Sequence, residues 1–191
     1  MYVDDIIITG NSSSQVSHLV TALSQAFELK DLGALSYFLG IQIMPTRFGL
    51  TLCQSKYASN VLHRFKMENS KPTKTPCCPN VRLTPFDGSM LPDPSEYRSM
   101  VGALQYLTFT RPDLAFSMHQ LWQFMNTPNS SHLEATKRVL RYVMGTLHFG
   151  IYFAPNSLTF SAFSDADLAS DPTDRKSTTG MVIFLGSSPI S

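Results

Sequence analysis

Two adjacent carboxylates near the start of the chain are the residues best suited to metal chemistry. Asp4 and Asp5 follow Tyr2 and precede a β-branched run that ends at Thr9-Gly10, which favours a tight hairpin with its second strand over residues 6–9. Carboxylates on such a stiff support can hold the two divalent ions that clamp the attacking and leaving oxygens of nucleotidyl transfer. Because successive strand side chains point to opposite faces, one aspartate is expected to be the principal ligand, with a further carboxylate arriving from elsewhere. Taken alone, the pair favours the simpler interpretation of a solvated turn.

The elements that must position these residues are predicted from apolar spacing and turn residues. Serines at 12–14 offer N-caps to a predicted helix, and the Asp-Leu-Gly segment at 31–33 is predicted to end it. The apolar residues of this helix recur at helical spacing and are predicted to face a core: Val16, Leu19, Val20, Leu23 and Phe27. Strand formers over residues 35–43, interrupted by Gly40, are predicted to pair with residues 50–53 in a second hairpin. Ser55 is predicted to cap a further helix.

Proline marks the clearest boundary in the chain. Half of the prolines fall between residues 69 and 95, and that density prevents regular ladders and favours an extended connector. Three helices are predicted beyond it, over residues 96–109, 113–126 and 132–145. After Gly150 the period changes, and short strands are predicted over residues 151–153, 158–163 and 181–185.

An ordered series of short motifs resembles copia-type reverse transcriptases. The opening Tyr2-Val3-Asp4-Asp5 is similar to the YVDD motif of that family, and further similar blocks follow in the family's order over essentially the whole chain. They are Lys30-Asp31-Leu32-Gly33, Tyr37-Phe38-Leu39-Gly40-Ile41, Gln54-Ser55-Lys56-Tyr57, the run from Tyr97 to Leu107, Thr110-Arg111-Pro112-Asp113, the run from Lys137 to Tyr142, and Gly145-Thr146. Any one block is weakly specific, whereas the ordered series is highly specific. The chain looks most similar to plant copia-type retrotransposon polyproteins and to their stand-alone fragments in plant nuclear and mitochondrial genomes.

The resemblance implies an α+β fold with four parts. These are the C-terminal palm, primer-grip hairpin and start of the thumb (residues 1–68), a Pro-rich connector (69–95), the helical thumb and connection (96–150), and the truncated start of an RNase H-like domain (151–191). In the palm, Asp4 and Asp5 would bind Mg²⁺, with Asp4 as the main ligand, and Tyr2 would lie near the primer terminus. Asp165 would be the first metal-binding carboxylate of the RNase H domain. Leu168 departs from the family pattern, which has tryptophan there.

Two further groups of residues would meet the RNA template and the DNA primer if the resemblance holds. Phe38, Leu39 and Gly40 would match the primer grip, where a glycine lets the backbone approach nucleic acid closely; plain core packing is the alternative for the first two. The basic residues Lys137, Arg138 and Arg141 would contact phosphates, and a solvated helix face is the alternative for them.

Composition and charge limit the other function classes. The net charge of +1 argues against a strongly basic nucleic-acid-binding module, although a polymerase fragment carries only part of its cleft. The cysteines form no CxxC pair and are expected to be inert reduced thiols. No apolar run is long enough for a membrane span, and no signal-peptide pattern opens the chain. An intracellular protein is therefore expected, whether cytoplasmic, nuclear or plant mitochondrial.

The expected activity of the isolated chain is low. By the resemblance, the remaining palm ligands would lie before Met1 and the later RNase H acids after Ser191, so each site would hold part of its carboxylate set. The rest of the polyprotein would then be needed for activity, and the chain alone is expected to show no measurable polymerase or RNase H activity. The alternative is a non-catalytic nucleic-acid-binding α+β module retained by the host.

Overall fold

The computed structural model describes residues 5–79, 81–155, 157–168 and 177–191. The helices are α1 Ser13–Ala26, α2 Ser55–Arg64, α3 Ser95–Leu107, α4 Ala115–Trp122, which a 3-10 turn at Pro112–Leu114 precedes, and α5 Ser130–Gly145. The strands are β1 Tyr37–Phe38, β2 Ile41–Thr46, β3 Gly49–Cys53, β4 Gly150–Phe153, β5 Phe160–Ala166, β6 Thr179–Leu185 and β7 Ser188–Pro189. The expected mixture of helix and sheet, an α+β fold, is therefore confirmed.

The first sheet has the order β1-β2-β3-β4, with every neighbour antiparallel. The predicted hairpin is formed by β2 and β3, but its ladder extends to Thr46 and Gly49, so the turn is shorter than expected. β4 pairs with β3, whereas the sequence pattern grouped residues 151–191 into one C-terminal unit. The pairing is close: a Cβ at Gly150 would lie 2.2 Å from the carbonyl oxygen of Leu52. The partner of β4 was missed because a short apolar strand does not encode which distant strand it joins.

The main core lies among α2, α3, α4 and α5. Its largest fully buried side chains include Leu62, Tyr97, Met100, Leu104, Leu107, Met118, Leu121 and Leu140. The Tyr97 hydroxyl is satisfied in this core because it donates a 2.6 Å hydrogen bond to the carbonyl oxygen of Leu121, as a buried polar group requires. The three predicted helices are confirmed with bounds shifted by a few residues. The N-cap of α2 is Gln54 rather than Ser55; the side chain of Gln54 accepts a hydrogen bond from Thr110.

The proline-rich connector is irregular, as predicted, but it packs against α5 instead of extending freely. The backbone N–H of Thr73 donates to the carbonyl oxygen of Arg141, and that of Leu91 to Pro128. At the start of α5, the Asn129 side chain accepts from the N–H of His132 while the His132 ring accepts from the N–H of Asn129. These bonds fix the helix start and the connector in one arrangement.

The N-terminal segment departs from two predictions. Helix α1 forms, with Ser12 accepting a hydrogen bond from the N–H of Gln15, but none of its residues is buried. Its apolar stripe therefore faces no core within the described chain, and Leu19 and Phe27 are exposed. The helix ends at Ala26, ahead of the predicted stop at residues 31–33.

The strand predicted over residues 6–9 is also absent from the described structure. The expected partner of that strand, residues 2–3, lies outside the described residues. Ile6 and Ile7 are exposed in an irregular segment.

The second sheet has the order β5-β6-β7 and is antiparallel. β5 runs three residues further than predicted, so that Asp165 lies within it, opposite Gly180 of β6. Every residue of β5 is exposed. The two sheets touch where the Ser188 hydroxyl accepts a hydrogen bond from the N–H of Ala154. Within the described ranges, no helix has the length and apolar character to cross a bilayer.

Candidate functional site

The turn between β1 and β2 places three of the predicted nucleic-acid-binding residues at one tip. Leu39 has φ 45° and Gly40 has φ 77°, so both lie in the left-handed region, as the two-residue hairpin turn that matches sheet twist requires. Leu39 is 60% exposed, which excludes core packing for this residue, whereas Phe38 is half-buried. The turn thus presents the apolar Leu39 side chain to its surroundings.

Tyr106 of α3 anchors this turn to the helical core. Its hydroxyl donates a short hydrogen bond to the carbonyl oxygen of Leu39, and a Cβ at Gly40 would lie 3.0 Å from the same hydroxyl. The Tyr106 ring packs edge-on against Tyr57 at 5.0 Å and against Phe109 at 5.5 Å between ring centres. Burial raises the pKa of the Tyr57 hydroxyl, which donates to the carbonyl oxygen of Ala103. The turn is therefore held rigidly.

Sequence reasoning missed Tyr106 as a residue of this site. It lies in the run from Tyr97 to Leu107 that resembles the family, but a tyrosine inside an amphipathic helix does not reveal its partner. The available signal was a polar-tipped aromatic in a predicted helix of largely buried apolar residues, since a Tyr hydroxyl that is half-buried usually finds an acceptor.

The predicted metal ligands are not brought together among the described residues. Tyr2 and Asp4 lie outside those residues, and Asp5 is exposed in an irregular segment. Asp165 is exposed on β5, where its carboxylate accepts a hydrogen bond from the N–H of Ala166. Across residues 5–79, 81–155, 157–168 and 177–191, no three His, Cys, Asp or Glu side chains are grouped so as to hold a metal ion. These residues do not by themselves fit a Mg²⁺ pair.

The basic residues of α5 do not form one exposed face. Lys137 lies with its Nζ 3.6 Å from a carboxylate oxygen of Glu134. Arg138 donates to the Thr75 hydroxyl at 2.9 Å. Both Arg138 and Arg141 line a cleft under the connector, which Lys137 does not. The predicted phosphate contacts of the two arginines would therefore require the connector to leave α5.

A buried arginine of the Thr110-Arg111-Pro112-Asp113 block, for which the sequence predicted no role of its own, makes several hydrogen bonds in the helical part. Arg111, 3% exposed, donates to both carboxylate oxygens of Asp113 at 3.0 and 2.8 Å and to the carbonyl and hydroxyl oxygens of Thr146. Its guanidinium also lies over the rings of Tyr142 and Phe149. Burial raises the pKa of Asp113, but the hydrogen bonds and charge of Arg111 outweigh burial and hold that pKa below its usual value. The pair joins the start of α4 to the end of α5.

Comparison with known proteins defines the class. The family model described as "Reverse transcriptase (RNA-dependent DNA polymerase)" matches residues 1–79. The whole chain is 46% identical to the retrovirus-related Pol polyprotein from transposon RE1 of Arabidopsis thaliana and 47% identical to that from transposon RE2. It is also 45% identical, over its full length, to an uncharacterized mitochondrial protein of the same plant, of which it covers 80%. No solved structure shows a significant match.

These matches establish that the chain carries reverse-transcriptase sequence. It belongs to the family of copia-type retrotransposon Pol polyproteins, as the ordered motifs predicted. The chain spans 13% of the length of each of the two transposon polyproteins.

Proposed function

We propose that this chain is the part of a copia-type RNA-directed DNA polymerase that positions the primer strand. Residues 1–68 would contribute the end of the palm, the primer grip and the start of the thumb. Residues 96–150 would form the helical thumb and connection after the 69–95 connector, and β5 to β7 would open the RNase H-like domain. The observation that supports this proposal best is the exposed Leu39-Gly40 turn anchored by Tyr106.

The chemistry of the turn suits a contact with the backbone of nucleic acid. The Tyr106 hydroxyl fills the space that a Cβ of Gly40 would take, so a sugar-phosphate chain would meet the turn from the side away from Tyr106. The exposed Leu39 side chain offers an apolar contact to a sugar or base at the tip. Because Tyr106 ties the turn to α3, the turn keeps its position when a primer–template duplex binds, which is what placing a reacting 3′ hydroxyl requires. Lys137 of α5 would add a phosphate contact elsewhere on the duplex.

Mg²⁺ would be held by ligands that come together only with the rest of the polyprotein. Asp4 and Asp5 would supply the polymerase carboxylates and Asp165 the first RNase H carboxylate. When bound, the ions would stabilise the charge that develops on the transferred phosphate. Because the remaining carboxylates would come from other parts of the polyprotein, the chain alone is expected to extend no primer.

RNA-templated primer extension tests this proposal. The chain would be assayed alone and embedded in the reverse-transcriptase region of its own polyprotein. We expect extension only by the longer protein, and its loss in Asp4→Asn. Asp31→Asn is the matched control, since Asp31 is exposed and its carboxylate accepts only a local bond from Gly33. Extension by the chain alone, or by the longer protein carrying Asp4→Asn, would contradict the proposal.

A second variant tests the primer-grip assignment separately. Leu39→Glu puts a negative charge at the tip of the turn, where it would repel a phosphate backbone. In the longer protein we expect a raised KM for primer–template with an unchanged KM for nucleotide. Leu158→Glu is the control, because Leu158 is 82% exposed and belongs to no strand of the first sheet. If Leu39→Glu and Leu158→Glu raised the KM for primer–template equally, the turn would not be the primer grip.

A further inference from the structure

A cleft of about 370 Å³ lies between the connector and helices α4 and α5. We infer that this cleft binds a small amphipathic anion, namely a carboxylate with a short aliphatic body. The inference is independent of the proposed primer contact, because the cleft shares no lining residue with the Leu39-Gly40 turn. It rests on the size, the apolar walls and the unpaired polar groups of the cleft.

The walls of the cleft are mainly apolar and come from three segments. The connector contributes Pro76, Val81 and Leu83, and the helices contribute Leu121, Ala135 and Val139. Sites for small molecules have this size and combine apolar walls with a few placed polar groups. A hydrocarbon chain of several carbons would bury apolar surface here, and that burial favours binding.

Three polar groups in the cleft lack partners among the described residues. Ser117 is 3% exposed, yet its hydroxyl has no hydrogen-bond partner. The Nε atoms of Arg138 and Arg141 are likewise buried without an acceptor, and all three residues line the cleft. A buried donor without an acceptor destabilises the fold. These three atoms are closed to a water-sized oxygen, so a bound anion would meet the guanidinium groups of Arg138 and Arg141 through their other nitrogen atoms.

The charge of the cleft selects an anion. Arg138 and Arg141 are three residues apart on α5, so they lie side by side and repel each other. Neither guanidinium forms an ion pair within the described part of the chain. Glu134 also lines the cleft, but its carboxylate lies 3.6 Å from Lys137 Nζ, which neutralises it. A carboxylate would accept charge-assisted hydrogen bonds from the arginines, whereas an amine would be repelled.

The apolar walls argue against phosphate as the natural occupant. A phosphate ion or a nucleic-acid backbone is hydrated on all sides, and entering this cleft would strip water without an apolar gain. An aliphatic carboxylate matches both halves of the cleft, since its head meets the arginines and its body meets the leucines and valines. Octanoate is a suitable probe, with octanol, octylammonium and inorganic phosphate as its comparisons.

Isothermal titration of the full 191-residue chain with these four compounds tests the inference. We expect one octanoate per chain and weaker or no binding of the other three. Arg141→Gln is the main variant, because no hydrogen bond of the Arg141 side chain to the described residues would be lost. We expect it to raise the Kd for octanoate about tenfold, which is the effect of losing one charge-assisted hydrogen bond.

Two matched variants separate the cleft from general effects of charge and folding. Lys74→Gln removes an exposed connector charge that does not line the cleft, and Lys71→Gln does the same at a second exposed connector position. Both are expected to keep the wild-type Kd. The inference is overturned if octanoate does not bind, if octanol or phosphate binds as tightly, or if Lys74→Gln or Lys71→Gln weakens binding as much as Arg141→Gln.

Discussion

The hydroxyl of Tyr106 donates a hydrogen bond to the carbonyl oxygen of Leu39, a residue 67 positions earlier in the chain. The bond joins the helical core to the tip of the β1–β2 turn, which no buried side chain of its own secures. Leu39 occupies the left-handed region with φ 45°, a conformation that disfavours residues other than glycine. Tyr106 therefore stabilises a turn whose backbone is intrinsically unfavourable.

Tyr106→Phe should lower the free energy of unfolding by about 1 kcal/mol, because it removes one hydrogen bond and keeps the ring packing. Urea unfolding followed by circular dichroism measures this change. Tyr37→Phe is the control, since Tyr37 is half exposed and its hydroxyl bonds to none of the described residues. Equal stability of Tyr106→Phe and wild type would mean that the bond contributes nothing.

Gly40→Ala should destabilise the chain by about 2 kcal/mol, since a Cβ is disfavoured at a φ of 77° and would push the Tyr106 hydroxyl aside. Gly102→Ala in α3 makes the same chemical change where nothing lies within 4 Å, and it should stabilise the helix by up to about 1 kcal/mol. Chemical unfolding of both variants gives the comparison. Similar effects at the two glycines would contradict the close contact with Tyr106.

Arg111→Ala should lower the free energy of unfolding by about 3 kcal/mol, because it leaves the partly buried carboxylate of Asp113 without its arginine partner. The Thr146 carbonyl and hydroxyl oxygens also lose their donor. Arg47→Ala is the matched control, since Arg47 is exposed and lies only over the Phe48 ring. Thermal unfolding compares the two, and a change no larger than that of Arg47→Ala would show that the network is not stabilising.

Gly150→Ala should destabilise the chain by about 2 kcal/mol, because its Cβ would meet the carbonyl oxygen of Leu52 at 2.2 Å and force β3 and β4 apart. Amide hydrogen exchange should show faster exchange in β3. Gly180→Ala is the control in another strand, with nothing within 4 Å of the added Cβ. Unchanged protection of β3 in Gly150→Ala would exclude the observed pairing.

The stability of the chain should fall as the pH drops below about 6.5, through His132. Burial lowers the pKa of His132 below its usual value, although the Thr84 carbonyl and Asp87 oppose this effect. The unfolded chain therefore takes up a proton at a higher pH than the folded chain, and the folded state loses stability until the pH reaches the folded pKa. Nδ1 of His132 accepts from the N–H of Asn129, so protonation would break that bond.

Unfolding measured between pH 7.5 and 5 (a range that spans about a unit on either side of the ordinary pKa of histidine) checks this sign. His132→Gln should remove most of the dependence, whereas His148→Gln, at an exposed position, should keep it. If the stability of His132→Gln still depended on pH in this range, another group would be responsible for the dependence.

Local patterns predicted the helices and the β2–β3 hairpin because their signals lie within a few residues. The serines at 12–14 and the strand formers on either side of Gly40 each determine structure nearby. The family and its order of motifs were likewise predictable, since each motif is contiguous in the sequence.

Long-range packing was not predictable in the same way. The pairing of β4 with β3 depends on where α5 delivers the chain, which no local pattern encodes. The environment of Arg138 and Arg141 depends on the path of an irregular connector, so the same residues read as a basic face in the sequence and line a cleft in the structure. The spacing of apolar residues correctly predicted that α1 is an amphipathic helix. Such spacing does not show whether another surface packs against the apolar face.

The β3–β4 pairing has a consequence for how the chain is made. The Tyr152 hydroxyl donates to the carbonyl oxygen of Phe48, 104 residues earlier, and all the helices of the core lie between these two residues. During synthesis β3 therefore leaves the ribosome long before its neighbour exists, and its free edge must wait while α2 to α5 are translated. Contacts of such large sequence separation slow folding. The first sheet is thus completed only after the four core helices have been made, and the nascent chain exposes the edge of β3 until then.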